Sequence, residues 1–285
     1  MSLASFVPEL WSQELLYHLD KTHVFGQPSI VSTQYTGEIT SQGDAVTINQ
    51  VGPVTIGDYT KNTDMTAPQQ LSTTGQKLQI TEAKYFNFQV DRVDQAQVAA
   101  DVLPEGMARA AQGLADAADT FIANLISTGV HASNDLADIE LGLGSEYDRT
   151  IYDALIRLAT RLDEENVPAQ GRWVVGRPAI VNRLAQDPRF AGTGSVLGDQ
   201  TVRTGQVGEA AGFTVYKSNN SPVGHFLAGA PGAVAFAEQI PASTVEMYSP
   251  EARFADAVKG LHLYGGKVIQ SKAVAKVEFV EPDNG

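Results

Sequence analysis

The chain contains no cysteine among its 285 residues. Disulfide frameworks, thiolate metal sites and cysteine nucleophiles are therefore excluded. Packing has to supply the stability instead. At about 150 residues per domain, the length suffices for one or two domains with a sizeable core. We expect a globular protein.

Basic residues are also scarce, because 20 Lys and Arg stand against 33 Asp and Glu and give a formal net charge of −13. A protein that binds nucleic acid through a basic face carries the opposite balance. Only 19% of the residues are charged and 43% are hydrophobic, which is an ordinary composition for a folded chain. Nucleic-acid binding through a basic surface is therefore not expected.

Long apolar runs are absent as well. No stretch approaches the roughly 18 apolar residues that a membrane-spanning helix needs. The first 20 residues contain no Lys or Arg and show no small-residue cleavage pattern, so they do not resemble a signal peptide. We expect no membrane segment and synthesis in the cytosol.

Nucleotide-binding and hydrolase motifs are incomplete. The glycines between residues 192 and 198 miss the dinucleotide-binding spacing by one position. Gly265–Lys267 resembles a phosphate loop, but Leu261 occupies the first glycine position and Val268 replaces the magnesium-binding Ser or Thr. No serine has glycines two positions away on both sides, as a nucleophile elbow requires.

The polar residues also predict no metal or catalytic site. His18 and His23 have a metal-ligand spacing, but they straddle the end of a predicted helix and are interpreted as incidental. Asp91 and Asp94 could form an acid/base or metal pair, but a strand end and a helix cap explain them better. The sequence therefore predicts no enzyme, cofactor or metal. A soluble α+β enzyme with an unrecognised carboxylate site remains as an alternative.

An acidic run closes the second predicted helix, at residues 163–165. The negative end of a helix dipole disfavours carboxylates there by a few tenths of a kcal/mol to about 1 kcal/mol each. Two interpretations stay open. The run is either a solvated face or a contact with a basic patch on a neighbouring subunit.

The N-terminal third is predicted to be mostly extended. A short amphipathic helix at 8–20 precedes an extended arm at 21–43. Strands at 45–51 and 85–90 flank residues 52–76, which are rich in polar side chains and contain too few apolar ones to bury their own backbone. We therefore predict a protruding hairpin that completes its packing on another subunit.

The remaining chain is predicted to be a mixed α+β fold. The longest helix is predicted at 94–128, with Asp94 and Gln97 as a capping box and a bend after Leu103 caused by Pro104. Apolar spacing predicts further helices at 151–162 and 178–186. Short apolar runs bounded by turn residues predict strands at 78–81, 173–176, 212–217, 224–228, 233–238, 245–248 and 272–280.

Several short segments of the sequence follow one another in an order that is typical of one protein family. They are Val7–Ser12, Tyr35–Ile39, Gly43–Ile48, Lys84–Asp91, Arg172–Val175, Gly205–Gly208, Gly212–Tyr216, Ser218–Asn220 and Ala233–Ala237. Each segment alone is weak evidence of a relationship, but together, in this order, the segments cover nearly the whole chain. In this respect the chain resembles the major capsid proteins of tailed bacteriophages, which have the Hong Kong ninety-seven-type fold.

The resemblance implies a division into five parts. These are an N-terminal arm (1–44), an extended loop with supporting strands (45–90), a peripheral domain with a spine helix (91–144, helix 94–128), an axial domain (145–260), and C-terminal strands that return to the peripheral domain (261–285).

The resemblance also implies a structural function. Such subunits form hexamers and pentamers of an icosahedral shell, which encloses double-stranded DNA without sequence-specific binding. The protein is then expected in the virion, after assembly in the host bacterial cytoplasm. Because no long charged helical segment precedes the arm, a separate scaffolding protein, or none, is implied, together with a portal, while decoration proteins are left open. An encapsulin-like nanocompartment shell is the alternative within the same fold.

The predicted contacts between subunits lie in the arm, in the hairpin and in the acidic run. The candidates are Trp11, Tyr35, Tyr59, Lys61, Asp64, Met65, Leu71, Lys77, Asp163, Glu164 and Glu165. Some family members join subunits through a lysine–asparagine cross-link, and Lys61 and Lys77 lie where such a lysine would be. No motif identifies the partner groups here, so ordinary surface lysines are the favoured interpretation.

Overall fold

The computed structural model describes residues 23–34, 45–91, 102–140, 151–184, 206–240 and 245–280, except positions 53, 63, 65–66, 72 and 252–253. The helices are α1 (Val102–Gly129), α2 (Ile151–Glu164) and α3 (Pro178–Leu184). The strands are β1 (Ala45–Val51), β2 (Thr73–Gln79), β3 (Glu82–Asp91), β4 (Asp135–Glu140), β5 (Trp173–Gly176), β6 (Gln206–Ala210), β7 (Phe213–Lys217), β8 (His225–Gly229), β9 (Val234–Gln239), β10 (Glu246–Tyr248), β11 (Ala255–Val268) and β12 (Val274–Val280).

These strands form three sheets. The largest has the order β4-β12-β8-β5-β7-β6, with parallel pairs β5–β7 and β12–β4. A four-stranded sheet has the order β10-β11-β3, and β9 also pairs with β11. The third is the two-stranded ribbon β1–β2. The predicted mixed α+β class is therefore confirmed.

The six-stranded sheet is covered on both faces. Val174 and Phe226 pack with the leucines of α2 on one face. On the other face, Trp173 and Leu227 pack against the C-terminal half of α1. A strand buried on both sides is apolar at consecutive positions, which explains the uninterrupted sequence of β5.

The four-stranded sheet carries α1 along one face. Phe86 of β3 and Val258 of β11 lie in one core cluster with the small residues of α1, such as Ala111 and Ala115. The alanine-rich surface lets the helix lie flat on the sheet. Val102 is the first helical residue that the structure describes, so the predicted start at Asp94 lies outside the described residues and Pro104 lies in the first described turn.

Strand β11 was not predicted from the sequence, because three glycines interrupt its apolar pattern. The structure explains two of them by close contacts. A Cβ at Gly260 would collide with the ring of Phe86, and one at Gly265 would collide with the backbone of Gln79. The glycines thus allow neighbouring elements to approach β11. Strands β4 and β6 were missed as well.

Residues 23–34, which we call the N-terminal anchor, correct another prediction. They form a series of turns instead of an extended arm. The side chains of Phe25, Ile30 and Val31 are completely buried. Ser32 makes an isolated parallel bridge to Ala235 of β9. The extended interpretation failed here because the anchor buries its apolar residues without any helical or strand periodicity. Residues 1–22 and 35–44 lie outside the described residues.

The sheets do not follow the order of the chain, and the five-part division expected above stays a prediction. Strand β11 does pair with β3, as a return to the peripheral part would require. Strand β12 instead pairs with β8 and β4 in the six-stranded sheet. Conversely, β9 and β10 fall within the predicted axial segment but pair with β11. The chain thus crosses between the two larger sheets more than once.

Within the described residues, no helix is long and apolar enough to cross a membrane.

Candidate assembly surface

The β1–β2 ribbon positions a long connection away from the sheets. Its antiparallel register runs from Ala45 opposite Gln79 to Val51 opposite Thr73. One face of the ribbon is apolar and packs on β9 and β11, where Ile48 and Leu78 are buried. The predicted hairpin is thus confirmed, and its base is fixed on the subunit core. Residues 52–72 form the connection, which we call the hairpin loop.

The hairpin loop exposes apolar side chains. The exposed fractions are 63% for Val54, 94% for Ile56, 73% for Tyr59 and 57% for Leu71. Full burial of a large apolar side chain is worth about 1.5–3 kcal/mol. A partner surface that covered several of these side chains would therefore gain appreciable free energy.

The loop nevertheless has a defined course. The backbone N–H of Thr55 donates to Oε1 of Gln69 over 2.9 Å, which joins its two limbs. Midway along the loop, Asn62 adopts a positive φ of 66° in a turn with Lys61. Asparagine tolerates this left-handed conformation better than most residues do. These two features join the limbs of the loop near its base and place a turn at Lys61 and Asn62.

Six of the predicted contact residues fall in this hairpin, and the structure describes five of them. Tyr59, Lys61, Asp64 and Leu71 are exposed on the loop, and Lys77 is exposed on β2. Trp11, Tyr35 and Met65 lie outside the described residues. The role of all of them in contacts between subunits stays a prediction.

The acidic run at the end of α2 is separate from the hairpin and finds its cations within the same chain. Asp163 accepts a hydrogen bond from Arg172 over 2.7 Å. Glu164 pairs with Arg161 over 2.9 Å, and Glu165 pairs with Lys272 over 2.9 Å. The hydrogen bond from Lys272 holds the pKa of Glu165 below its usual value. Contact with another subunit is not needed to explain these charges, and it stays a prediction.

Arg172 also binds the segment that follows α2. Its guanidinium is almost fully buried and donates to the backbone carbonyls of Pro168 and Val167 as well as to Asp163. Asn166, two residues after the end of α2, has a positive φ of 57°, which is typical of the residues that follow a helix C-terminus.

Sequence reasoning missed a buried cluster of four ionisable residues, which we call the charge cluster. Nδ1 of His23 lies 2.9 Å from Oδ1 of Asp119 on α1. Nε2 of His23 lies 3.5 Å from Oε2 of Glu238 on β9, and Nε2 of His262 on β11 lies 3.1 Å from the same oxygen. The available signal was an aspartate at position 119, between Ala118 and Ile122 on the apolar stripe of α1.

Asp119 also binds the backbone of the N-terminal anchor. Oδ2 accepts the N–H of Val24 over 2.8 Å. Oδ1 accepts the N–H groups of Phe25 and Gly26, each over 3.2 Å. A carboxylate that receives several N–H groups keeps its charge favourably even when buried.

The proton affinities in the charge cluster are strongly perturbed. Burial alone would lower the pKa of His23, but the carboxylates of Asp119 and Glu238 outweigh it and raise the pKa to about 10. Burial alone would raise the pKa of Glu238, but His23 and His262 outweigh it and lower the pKa to about 2. His23 is thus a cation, and Glu238 an anion, at neutral pH. Among the described residues, no group of three or more such side chains is arranged to hold a metal ion.

Comparison with known proteins agrees with this architecture. The chain is 27% identical to a chain of Mycobacterium phage Che8, with 90% of each chain covered and a TM-score of 0.64. A capsid chain of cyanophage P-SCSP1u is 16% identical, with 92% of this chain and 89% of that chain covered and a TM-score of 0.67.

Shell proteins of another kind share the fold. The encapsulin SrpI of Synechococcus elongatus is 12% identical, with 84% of this chain and 83% of that chain covered and a TM-score of 0.58. No curated protein sequence matches the chain.

The sequence pattern of the family described as phage capsid protein matches residues 74–277, which is more than half of the chain. This match includes all three helices and the strands of both larger sheets, up to Val277 within β12. The chain therefore belongs to the phage capsid protein family and is a structural major capsid protein with the Hong Kong ninety-seven-type fold.

Proposed function

We propose that copies of this chain assemble into hexamers and pentamers of an icosahedral shell, and that the hairpin loop lies across a neighbouring subunit. The observation that supports this proposal is the group of exposed apolar side chains on a loop whose base is fixed in the subunit. A loop from one copy on a different surface of the next copy is a heterologous contact, which closes into rings when the rotation permits.

The two larger sheets have distinct places in this proposal. The four-stranded sheet with α1 forms the peripheral domain, and the six-stranded sheet with α2 and α3 forms the axial domain around the capsomer axis. Trp11, Tyr35 and Met65, together with residues 163–165, complete the contacts between subunits. This assignment gives each sheet, and each predicted contact residue, a place in the shell that the family membership suggests for the whole chain.

The shell of this proposal encloses double-stranded DNA in the virion. The net charge of −13 supports weak binding of the packaged DNA, because a strongly basic wall would hold the phosphates and impede movement during packaging. Assembly takes place in the host cytoplasm with a separate scaffolding protein and a portal. The role of the protein is structural, without turnover of a substrate.

The assembly proposal is tested with a double variant, Ile56→Asp with Tyr59→Asp. We expect a folded subunit that no longer forms capsomers or shells, because charges now occupy the apolar contact. Electron microscopy counts particles, and circular dichroism checks the fold. Val223→Asp is the matched control, because Val223 is 70% exposed on the β7–β8 connection. Unchanged shell yield in the double variant contradicts the proposal.

A deletion of residues 54–72 tests the placement of the loop. The truncated chain is expected to fold and to form no shells. A deletion variant that cannot fold shows that the loop belongs to the subunit core. The contents of intact particles separate a phage shell from a nanocompartment, since the first contains double-stranded DNA and the second contains a protein cargo.

A further inference from the structure

The N-terminal anchor lies between the two larger sheets and touches both. Its buried side chains share one core cluster with Trp173 of the six-stranded sheet and with Phe236 and Tyr264 of the four-stranded sheet. The hydroxyl of Tyr216, in β7, donates to Oγ of Ser29 over 3.3 Å. The anchor is thus part of the core that joins the sheets.

The anchor is also bonded to the edge of the four-stranded sheet. The N–H of Ser32 donates to the carbonyl of Val234 over 2.8 Å, and the N–H of Phe236 donates to the carbonyl of Ser32 over 3.0 Å. Among the described strands, no ladder of hydrogen bonds links the six-stranded sheet directly to the four-stranded sheet. The angle between them is therefore set by packing and by the connections of the chain.

Those connections are hydrogen-bonded to one another and form a joint. Residues 230–233 lead from β8 to β9, and residues 269–273 lead from β11 to β12. The N–H of Ile269 donates to the carbonyl of Ala233 over 2.8 Å, and the N–H of Ala230 donates to the carbonyl of Ala273 over 3.0 Å. A joint of two short connections can bend without breaking either sheet.

Unlike these connections, the anchor is not continuous, within the described residues, with a strand of either larger sheet. What fixes its first residues is Asp119, which receives the N–H groups of Val24, Phe25 and Gly26 and lies against His23. The side chains of His23 and Asp119 are each only 2% exposed. Removing one partner of such a buried pair leaves the other charged and desolvated, which is strongly destabilising.

We propose that the N-terminal anchor is a wedge that holds the two larger sheets at one relative angle, and that Asp119 is the positioning residue that keeps the wedge in place. When the wedge leaves, the six-stranded sheet with α2 and α3 turns about the joint while each sheet stays folded. Subunits that share one sequence and occur in both hexamers and pentamers have to adopt more than one shape in a controlled way. The wedge itself is a property of the single subunit and holds whatever the subunit assembles into.

The test measures the angle between the sheets in the unassembled full-length chain. Because the chain has no cysteine, Arg157→Cys on α2 and Gln89→Cys on β3 place two spin labels at exposed positions without further changes. Pulsed electron spin resonance then gives the distribution of distances between them. Hydrogen exchange of the amides at residues 24–26 reports whether the wedge is in place.

Asp119→Asn is the decisive variant. It removes the charge but keeps the shape. We expect exchange at residues 24–26 to become about tenfold faster or more, and the distance distribution to widen or shift. Asp116→Asn is the matched control, because Asp116 lies on the same helix, is exposed and contacts the side chain of Asn220. The control is expected to change neither measurement.

Two results would overturn the proposal. If hydrogen exchange at residues 24–26 becomes faster while the distance distribution stays as in the unsubstituted protein, the anchor does not set the angle between the sheets. If neither measurement changes, Asp119 does not hold the anchor in place. Should Asp119→Asn fail to fold, His23→Gln provides the same two measurements with a milder change, and the same outcomes decide.

Discussion

The hairpin loop and the N-terminal anchor are close in the sequence but treat their apolar side chains in opposite ways. In the loop, Val54 and Ile56 face solvent. In the anchor, Phe25 and Ile30 are completely buried against α1 and both larger sheets. The anchor therefore contributes to the stability of the single subunit, whereas the loop leaves apolar side chains exposed in that subunit.

Polar contacts explain much of this difference. The first residues of the anchor meet Asp119, which accepts their backbone N–H groups inside the core. Buried backbone groups need such partners, since each one left unsatisfied costs about 1–3 kcal/mol. The comparison teaches that a non-periodic segment can belong to the core when a single acceptor serves several of its amides.

The largest expected effect is the difference between the two regions in how far a substitution lowers the stability of the subunit. Phe25→Ala should lower the free energy of unfolding by about 3–5 kcal/mol, because it empties a fully buried site. Ile56→Ala should change it by less than about 0.5 kcal/mol, because Ile56 is exposed in the unassembled subunit. Guanidinium unfolding of both variants measures the values. Similar losses would remove the distinction between the regions.

The next prediction concerns pH. The pKa of His23 is raised to about 10. Its contribution to the stability of the fold is therefore complete below about pH 6.5 and is lost as the pH rises toward 10. The pKa of Glu238 is lowered to about 2, so its contribution is complete above about 4.5 and is lost as the pH falls toward 2. The other ionisable side chains around them are Asp119, His262 and Tyr264, and burial raises the pKa of Tyr264 to about 12.

Stability should therefore be highest between about pH 4.5 and 6.5 and decline by a few kcal/mol toward pH 10. Unfolding with denaturant at several pH values measures this decline. His23→Gln should flatten the alkaline side, whereas the loop variant Ile56→Ala should keep the full pH dependence. A decline that persists in His23→Gln would show that another group causes it.

Periodicity was sufficient for much of the fold. The alternation in β1 and the leucine spacing in α2 predicted these elements where the structure has them. Strand β11 was missed because its glycines look like breaks until the ring of Phe86 is seen to occupy the space. The charge cluster was missed because its members come from residues 23, 119, 238 and 262, and only the fold brings them together. Local patterns cannot report a contact made by distant parts of the chain.

The smallest expected effect concerns the pair between Glu165 and Lys272, which links the end of α2 to the connection between β11 and β12. Both partners are accessible to water, so solvent screens their attraction. Lys272→Ala should therefore lower the free energy of unfolding far less than a change in the charge cluster does. Guanidinium unfolding at low and high salt measures the difference, which should shrink further as salt is added. A loss as large as that of Phe25→Ala would contradict the expectation that solvent screens this pair.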